Sequence, residues 1–176
     1  NSGDISSQGY YGATGISATS GGLGGSASVT NSGPVYASQY TKYGYGAYGI
    51  VVSADGDASI DNSGEITVDS AGSANGAVAL SFAGDASVTN SGDITVTTDA
   101  LKYYGGNGIV AFAGNGSAYA GNSGNIDVTS KYISAGIDVS GLEDATVSNS
   151  GDISVDAWRA YGIRAQAGNG DVDVSN

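Results

Sequence analysis

Apolar residues alternate with polar or small ones in short runs along the whole chain, and the runs come in repeating groups of three. The first run of each group carries Ile5, Val35/Ala37, Ile66/Val68, Ile94/Val96, Ile126/Val128 and Ile153/Val155. The second carries Ile16/Ala18, Ile50/Val52, Val78/Leu80, Ile109/Ala111, Ile137/Val139 and Ile163/Ala165. The third carries Ala27/Val29, Ala58/Ile60, Ala86/Val88, Ala118/Ala120, Ala145/Val147 and Val172/Val174. Period-two alternation is the signature of a strand with one buried face. Three short strands cannot bury their apolar sides alone. Coiling the chain and stacking the coils buries all three against one axis and pairs each strand with its counterparts above and below.

The spacing predicts an all-β, right-handed parallel β-helix: a β-solenoid of about six coils of 27–32 residues, with three short strands per coil. The hand is expected from the usual chirality of parallel crossovers. One domain spans residues 1–176, with repeats 1–30, 31–61, 62–89, 90–121, 122–148 and 149–175. A strand spacing of ~4.8 Å would make six coils about 29 Å long. A propeller blade would need four strands and a longer period, and a leucine-rich repeat would need Leu at fixed positions.

Each unit opens on the same corner. Asn-Ser-Gly occurs at Asn1, Asn31, Asn62, Asn90, Asn122 and Asn149, and Asn176 occupies the next equivalent position. Asn31, Gly33, Asn62, Gly64, Asn90, Gly92, Asn122, Gly124, Asn149 and Gly151 are therefore assigned a structural role. The recurring Gly predicts a positive φ at every corner. The Asn side chains predict local turn bonds and an amide ladder along the stack.

Composition narrows the chemistry. There is no Cys, His or Met, which removes the usual zinc, haem and iron–sulfur ligands and any His-based triad. The net charge of −12, from 17 acids against 5 bases, argues against nucleic acid and anionic membrane as partners. No apolar run is long enough for a membrane-spanning helix, so no membrane insertion by this segment is expected.

The units NSGDITV (Asn90–Val96) and NSGEITV (Asn62–Val68), with AYGIVV (Ala47–Val52) and AYGIRA (Ala160–Ala165), resemble repeats of bacterial autotransporter passenger regions and of large secreted adhesins. The resemblance covers essentially the whole chain. It implies an extracellular protein of the bacterial cell surface, exported by a preceding signal peptide and followed by a membrane β-barrel. It supplies no catalytic residues. Because the chain runs from one corner Asn to another, it is expected to be part of a longer rod, stacked on further coils or on other copies of itself.

The segment joining the first and second strands varies most and gathers aromatic and basic residues. These are Tyr10, Tyr11, Tyr40, Lys42, Tyr43, Tyr45, Tyr48, Lys102, Tyr103, Tyr104, Lys131, Tyr132, Trp158, Arg159 and Tyr161. Stacking would align them on one edge of an acidic rod. Tyr and Trp combine apolar area with a polar handle and favour interfaces. The functional reading is an adhesive or self-associating edge, with glycan, a host surface or a sister rod as partner. The alternative is that the rings fold back to cover strands.

Acids also recur after the corner, at Asp4, Glu65, Asp93 and Asp152. Glu65 and Asp93 on adjacent coils would repel, and calcium could relieve that. Asp55, Asp57, Asp85, Glu143 and Asp144 add weaker candidates, but no calcium-binding nonapeptide recurs. Solvated surface is the simpler reading, and no cofactor is expected. The acids are dispersed, so the chain is read as a structural rod and not an enzyme. A filament subunit stacking end to end is one alternative, and a polysaccharide-degrading β-helix is the other.

Overall fold

The computed structural model describes residues 1–41, 44–99 and 105–176. Three parallel six-stranded sheets wrap one axis and form a parallel β-solenoid. The first sheet contains β1 (Ile5–Gly9), β4 (Val35–Gln39), β7 (Ile66–Ser70), β10 (Ile94–Thr98), β13 (Ile126–Ser130) and β16 (Ile153–Asp156). The second contains β2 (Gly12–Ser20), β5 (Gly46–Ala54), β8 (Ala74–Ser81), β11 (Gly106–Ala113), β14 (Ile133–Gly141) and β17 (Arg159–Ala167). The third contains β3 (Ala27–Asn31), β6 (Ala58–Asn62), β9 (Ala86–Asn90), β12 (Ala118–Asn122), β15 (Ala145–Asn149) and β18 (Val172–Ser175). Each strand pairs in register with its counterparts, so like residues stack on like: Ile66, Ile94 and Ile126 form one column, and Val68, Val96 and Val128 the next.

The interior is largely the predicted set of aliphatic side chains, with two corrections: Val172 and Val174 of the last coil are 51% and 46% exposed, and one strand has the other parity. In β8 the residues aligned with Ile50 and Val52 are Ala77 and Ala79, not Val78 and Leu80. Ala77 and Ala79 are fully buried, while Val78 and Leu80 turn to the outer face, where Val78 is still only 6% exposed between Val51 and Val110. The Gly that opens this part of the strand sets the parity. Gly15, Gly49, Gly76, Gly108 and Gly136 form an inner column whose absent Cβ makes room for a branched side chain of the first sheet, such as Ile66 at Gly49 and Ile94 at Gly76. A Cβ on any of them would stand 2.5–2.7 Å from the next coil's glycine oxygen. In β8 this frame puts Ala77 one step after the Gly, as it puts Ile50 after Gly49, and its neighbours hold it there.

The Asn corner is a continuous ladder. Each Asn Nδ2 donates to the Oδ1 of the Asn one coil on, at 2.6–2.8 Å from Asn1 through to Asn176. The same amide group donates to the carbonyl of its own corner Gly at 2.6–2.7 Å. Both N–H bonds of each ladder Asn from Asn1 to Asn149 are thus used, as burial of the central ones demands.

The corner glycines have a different cause from the one expected. The described positive-φ glycines are Gly24 (φ 70) and Gly46 (φ 92), and no corner Gly is among them. At Gly33, Gly64, Gly92, Gly124 and Gly151 a Cβ would instead overlap the carbonyl oxygen of the corner Gly one coil before. The corner needs glycine because backbone passes directly over backbone.

Candidate functional site

The described parts of the connections between the first and second sheets lie along one edge. Tyr10 and Tyr11 form the whole of the first connection, Tyr132 belongs to the fifth and Trp158 to the sixth. Tyr40 and Tyr45 flank the second. The third is only Ala71, Gly72 and Ser73, so the aromatic row is interrupted there. Lys42, Tyr43, Lys102, Tyr103 and Tyr104 lie outside the described residues. Tyr48, Arg159 and Tyr161 fall within β5 and β17, at the start of the second sheet rather than in a connection.

Two aromatic clusters sit toward the ends of this edge. Tyr10 and Tyr11 meet edge to face with ring centroids 4.9 Å apart. Tyr132 and Trp158 approach at 6.5 Å and, with Lys131, border a shallow cleft of about 250 Å³. Lys131 Nζ is 3.0 Å from Asp99 Oδ1, in an exposed pair worth little to stability. Beside Trp158, the Arg159 guanidinium lies 5.2 Å from the Tyr161 ring centre and that of Arg164 lies 5.6 Å from it. Arg164 is held by a two-point bond to Asp138, with Nε 2.8 Å from Oδ1. That bond raises the Arg164 pKa above its ordinary value, against the opposing effect of partial burial.

Between the clusters runs an open groove of about 460 Å³. Tyr45 and Tyr48 form one wall and Ile133 stands opposite. Its floor carries Asn75 and Asn107, linked by an Asn107 Nδ2 to Asn75 Oδ1 bond of 3.1 Å. Asn107 Oδ1 also accepts the Ala135 N–H at 3.0 Å, which fixes the amide in place. Such a site can stack a ring on tyrosine while amide groups bond its hydroxyls.

Most of the described rings of this edge stand open to solvent. Tyr10, Tyr11, Tyr40, Tyr45 and Trp158 are 58–87% exposed, while Tyr48, Tyr132 and Tyr161 are half-buried. No family model, no curated protein and no solved structure matched the chain. What the edge does must therefore be argued from its own chemistry.

Several acidic residues have local partners. Asp93 Oδ1 accepts the backbone N–H of Asn125 at 2.9 Å, and Asn125 Oδ1 accepts that of Asp152 at 3.3 Å. Glu65 accepts the Thr67 hydroxyl at 3.2 Å. At the corner before the third sheet, Asp57 caps the N–H of Asp85 at 3.0 Å, Asp85 that of Ser117 at 2.8 Å, and Asp144 that of Asp171 at 2.9 Å. Charge-assisted capping of the next coil is thus the visible role of Asp57, Asp85, Asp93 and Asp144. Among the described residues, no three acids converge as a metal cage would require.

Sequence reasoning missed one surface. On the outer face of the second sheet, Val51, Val78 and Val110 stack in one column, with Leu80 and Phe112 in the next. Phe82 projects beside them, 59% exposed. The signal was present as three strands, GIVVS, AVALS and GIVAF, that are apolar at consecutive positions where the equivalent strands of the other units alternate.

Proposed function

We propose that this chain is a rigid, non-enzymatic rod of the bacterial cell surface, resembling an autotransporter passenger segment, that adheres to host-surface glycan through its Tyr-rich edge. One observation carries the reading: Tyr45 and Tyr48 line an amide-floored groove, and strongly exposed rings stand toward either end of the same edge, Tyr10 and Tyr11 at one and Trp158 at the other, on an otherwise acidic stack. Nothing in core packing requires large aromatic residues there. Sugar rings offer apolar C–H faces to aromatic side chains and hydroxyls to amides, and they carry no demand for basic residues. Regular stacking keeps the rings in fixed positions, which lowers the ordering cost of binding. Asp138, the acid held against a base in the interior of a sheet face, is closed in its pair with Arg164.

The test is binding of the labelled 176-residue chain to a glycan array and to cultured epithelial cells. Tyr45→Ser combined with Trp158→Ser should lower binding at least about tenfold, since buried aromatic anchors dominate such contacts, with an unchanged circular dichroism spectrum. Equal binding by the double variant, or no binding by the parent chain to any glycan or cell, rejects the proposal. Release of reducing ends from a polysaccharide would reject its non-enzymatic part.

A further inference from the structure

The outer face of the second sheet differs from the rest of the rod in charge, size and polarity. Its strands contain only Asp138, Arg159 and Arg164 as charged residues, a net +1 on a chain of −12. Strands of the first sheet carry Asp69, Asp127 and Asp156, and those of the third carry Asp61 and Asp173, with no base on either. The remaining acids stand at corners and in connections. Where the other sheets present mostly Ser, Thr and Asp, the second carries half-buried Val51, Leu80 and Val110 and exposed Phe112 around a buried Val78 on β5, β8 and β11. Phe112 is 43% exposed, and the stripe runs into an open groove of about 550 Å³ bordered by Phe112, Leu142 and Val172. Exposed apolar patches of this kind mark interaction sites.

We infer that this face is a lateral interface through which two copies of the chain pair side by side. This goes beyond the glycan reading: the apolar stripe lies further along the strands whose opening residues Tyr48, Asn75, Asn107 and Ile133 line the groove, so the face shares one end with that site. Area supports it. Second-sheet strands run eight or nine residues, against four or five in the other two sheets. Six such strands at ~4.8 Å, each ~28 Å long, present a face of roughly 800 Å². That is about the share each partner contributes to a standard stable interface. The shorter strands of the other sheets offer roughly 500 Å² by the same geometry.

Charge and spacing choose the occupant. Two copies meeting through either of the other sheets would set rows of aspartate against one another, whereas this face meets its own copy without that repulsion. The apolar columns also repeat at the strand spacing along the axis. A surface with the same repeat is offered by another copy of this stack, and a twofold arrangement lets one patch serve both partners.

Sedimentation equilibrium of the 176-residue chain tests this, over roughly 1 μM to 1 mM, the range of a modest protein–protein affinity. The apparent mass should rise from 17.1 kDa toward twice that value. Leu80→Asp combined with Phe112→Asp should stay monomeric throughout, with unchanged circular dichroism. Thr89→Asp, outward on the third sheet, should dimerise like the parent. If the double variant fails to fold, Phe112→Ser alone should raise the dissociation constant about tenfold, as loss of a central aromatic contact does. A parent chain that stays monomeric overturns the inference. So does association unaffected by these changes, as an end-to-end contact would give. The Tyr45→Ser/Trp158→Ser variant should dimerise normally, which separates this surface from the glycan edge.

Discussion

Replacing Asn90 by Ala removes one rung from the centre of the amide ladder. Asn90 is 1% exposed. Its Nδ2 donates to Gly92 O at 2.6 Å and to Asn122 Oδ1 at 2.8 Å, and its Oδ1 accepts from Asn62 Nδ2 at 2.7 Å. All three bonds disappear together. Asn62 keeps its bond to Gly64 O but strands its second N–H, and Asn122 Oδ1 and Gly92 O lose their donor. Each net bond is worth about 1 kcal/mol, and a stranded buried partner costs more, so the expected loss is about 3–5 kcal/mol. That is a large part of the 5–15 kcal/mol that holds a typical domain folded. Asn90→Asp should be at least as damaging. A carboxylate cannot donate, and it would face the acceptors Asn122 Oδ1 and Gly92 O.

Urea unfolding followed by far-ultraviolet circular dichroism measures the loss. The control is Thr89→Ala, one residue away and exposed, which should stay within about 0.5 kcal/mol of the parent. Hydrogen exchange localises the effect. The Ser91 and Ser123 amides, bonded at this corner to Asn62 O and Asn90 O, should exchange faster than those of β2 and β17. An Asn90→Ala loss within about 1 kcal/mol of the Thr89→Ala control would refute the view that the ladder is a main support of the stack, since three lost bonds cannot amount to so little.

Two further outcomes follow from the corners. Gly92→Ala would overlap the Gly64 carbonyl and should cost about 3 kcal/mol or more by forcing coils apart, while Gly162→Ala, with open space at its Cβ, should be nearly neutral in thermal unfolding. Asp85→Ala strips the cap from the Ser117 N–H and should cost about 1 kcal/mol by urea titration. Added calcium should not restore that loss, because the carboxylate serves a backbone amide.

Much of this architecture was legible without coordinates. The recurrent Asn-Ser-Gly, the three alternating runs and the coil length together demand a stack, and the amide ladder follows from placing the same Asn at one corner of every coil. Val78 and Leu80 show where reading stops. Local hydrophobicity assigns them inward, because Val and Leu are larger than Ala77 and Ala79. The glycine column and the neighbouring strands hold the opposite parity, and a one-residue slip would turn the whole strand over. The corner glycines were misread for the same reason, and the capping role of Asp57, Asp85, Asp93 and Asp144 was not legible at all. Both answer to a backbone group that lies ~28 residues away in sequence and one strand spacing away in space.

The chain alone determined which residues alternate, how long a coil is and which residue stands at its corner, because those are local patterns repeated often enough to be unambiguous. Tertiary stacking decided which apolar side chains remain outside, why glycine is compulsory at the corners, and which carboxylates are already engaged. Those properties belong to contacts between successive coils, and a strand's exposed side acquires its character only when like residues are set above one another. The aromatic edge and the Val/Leu/Phe face are both surfaces of that second kind, assembled from several coils at once.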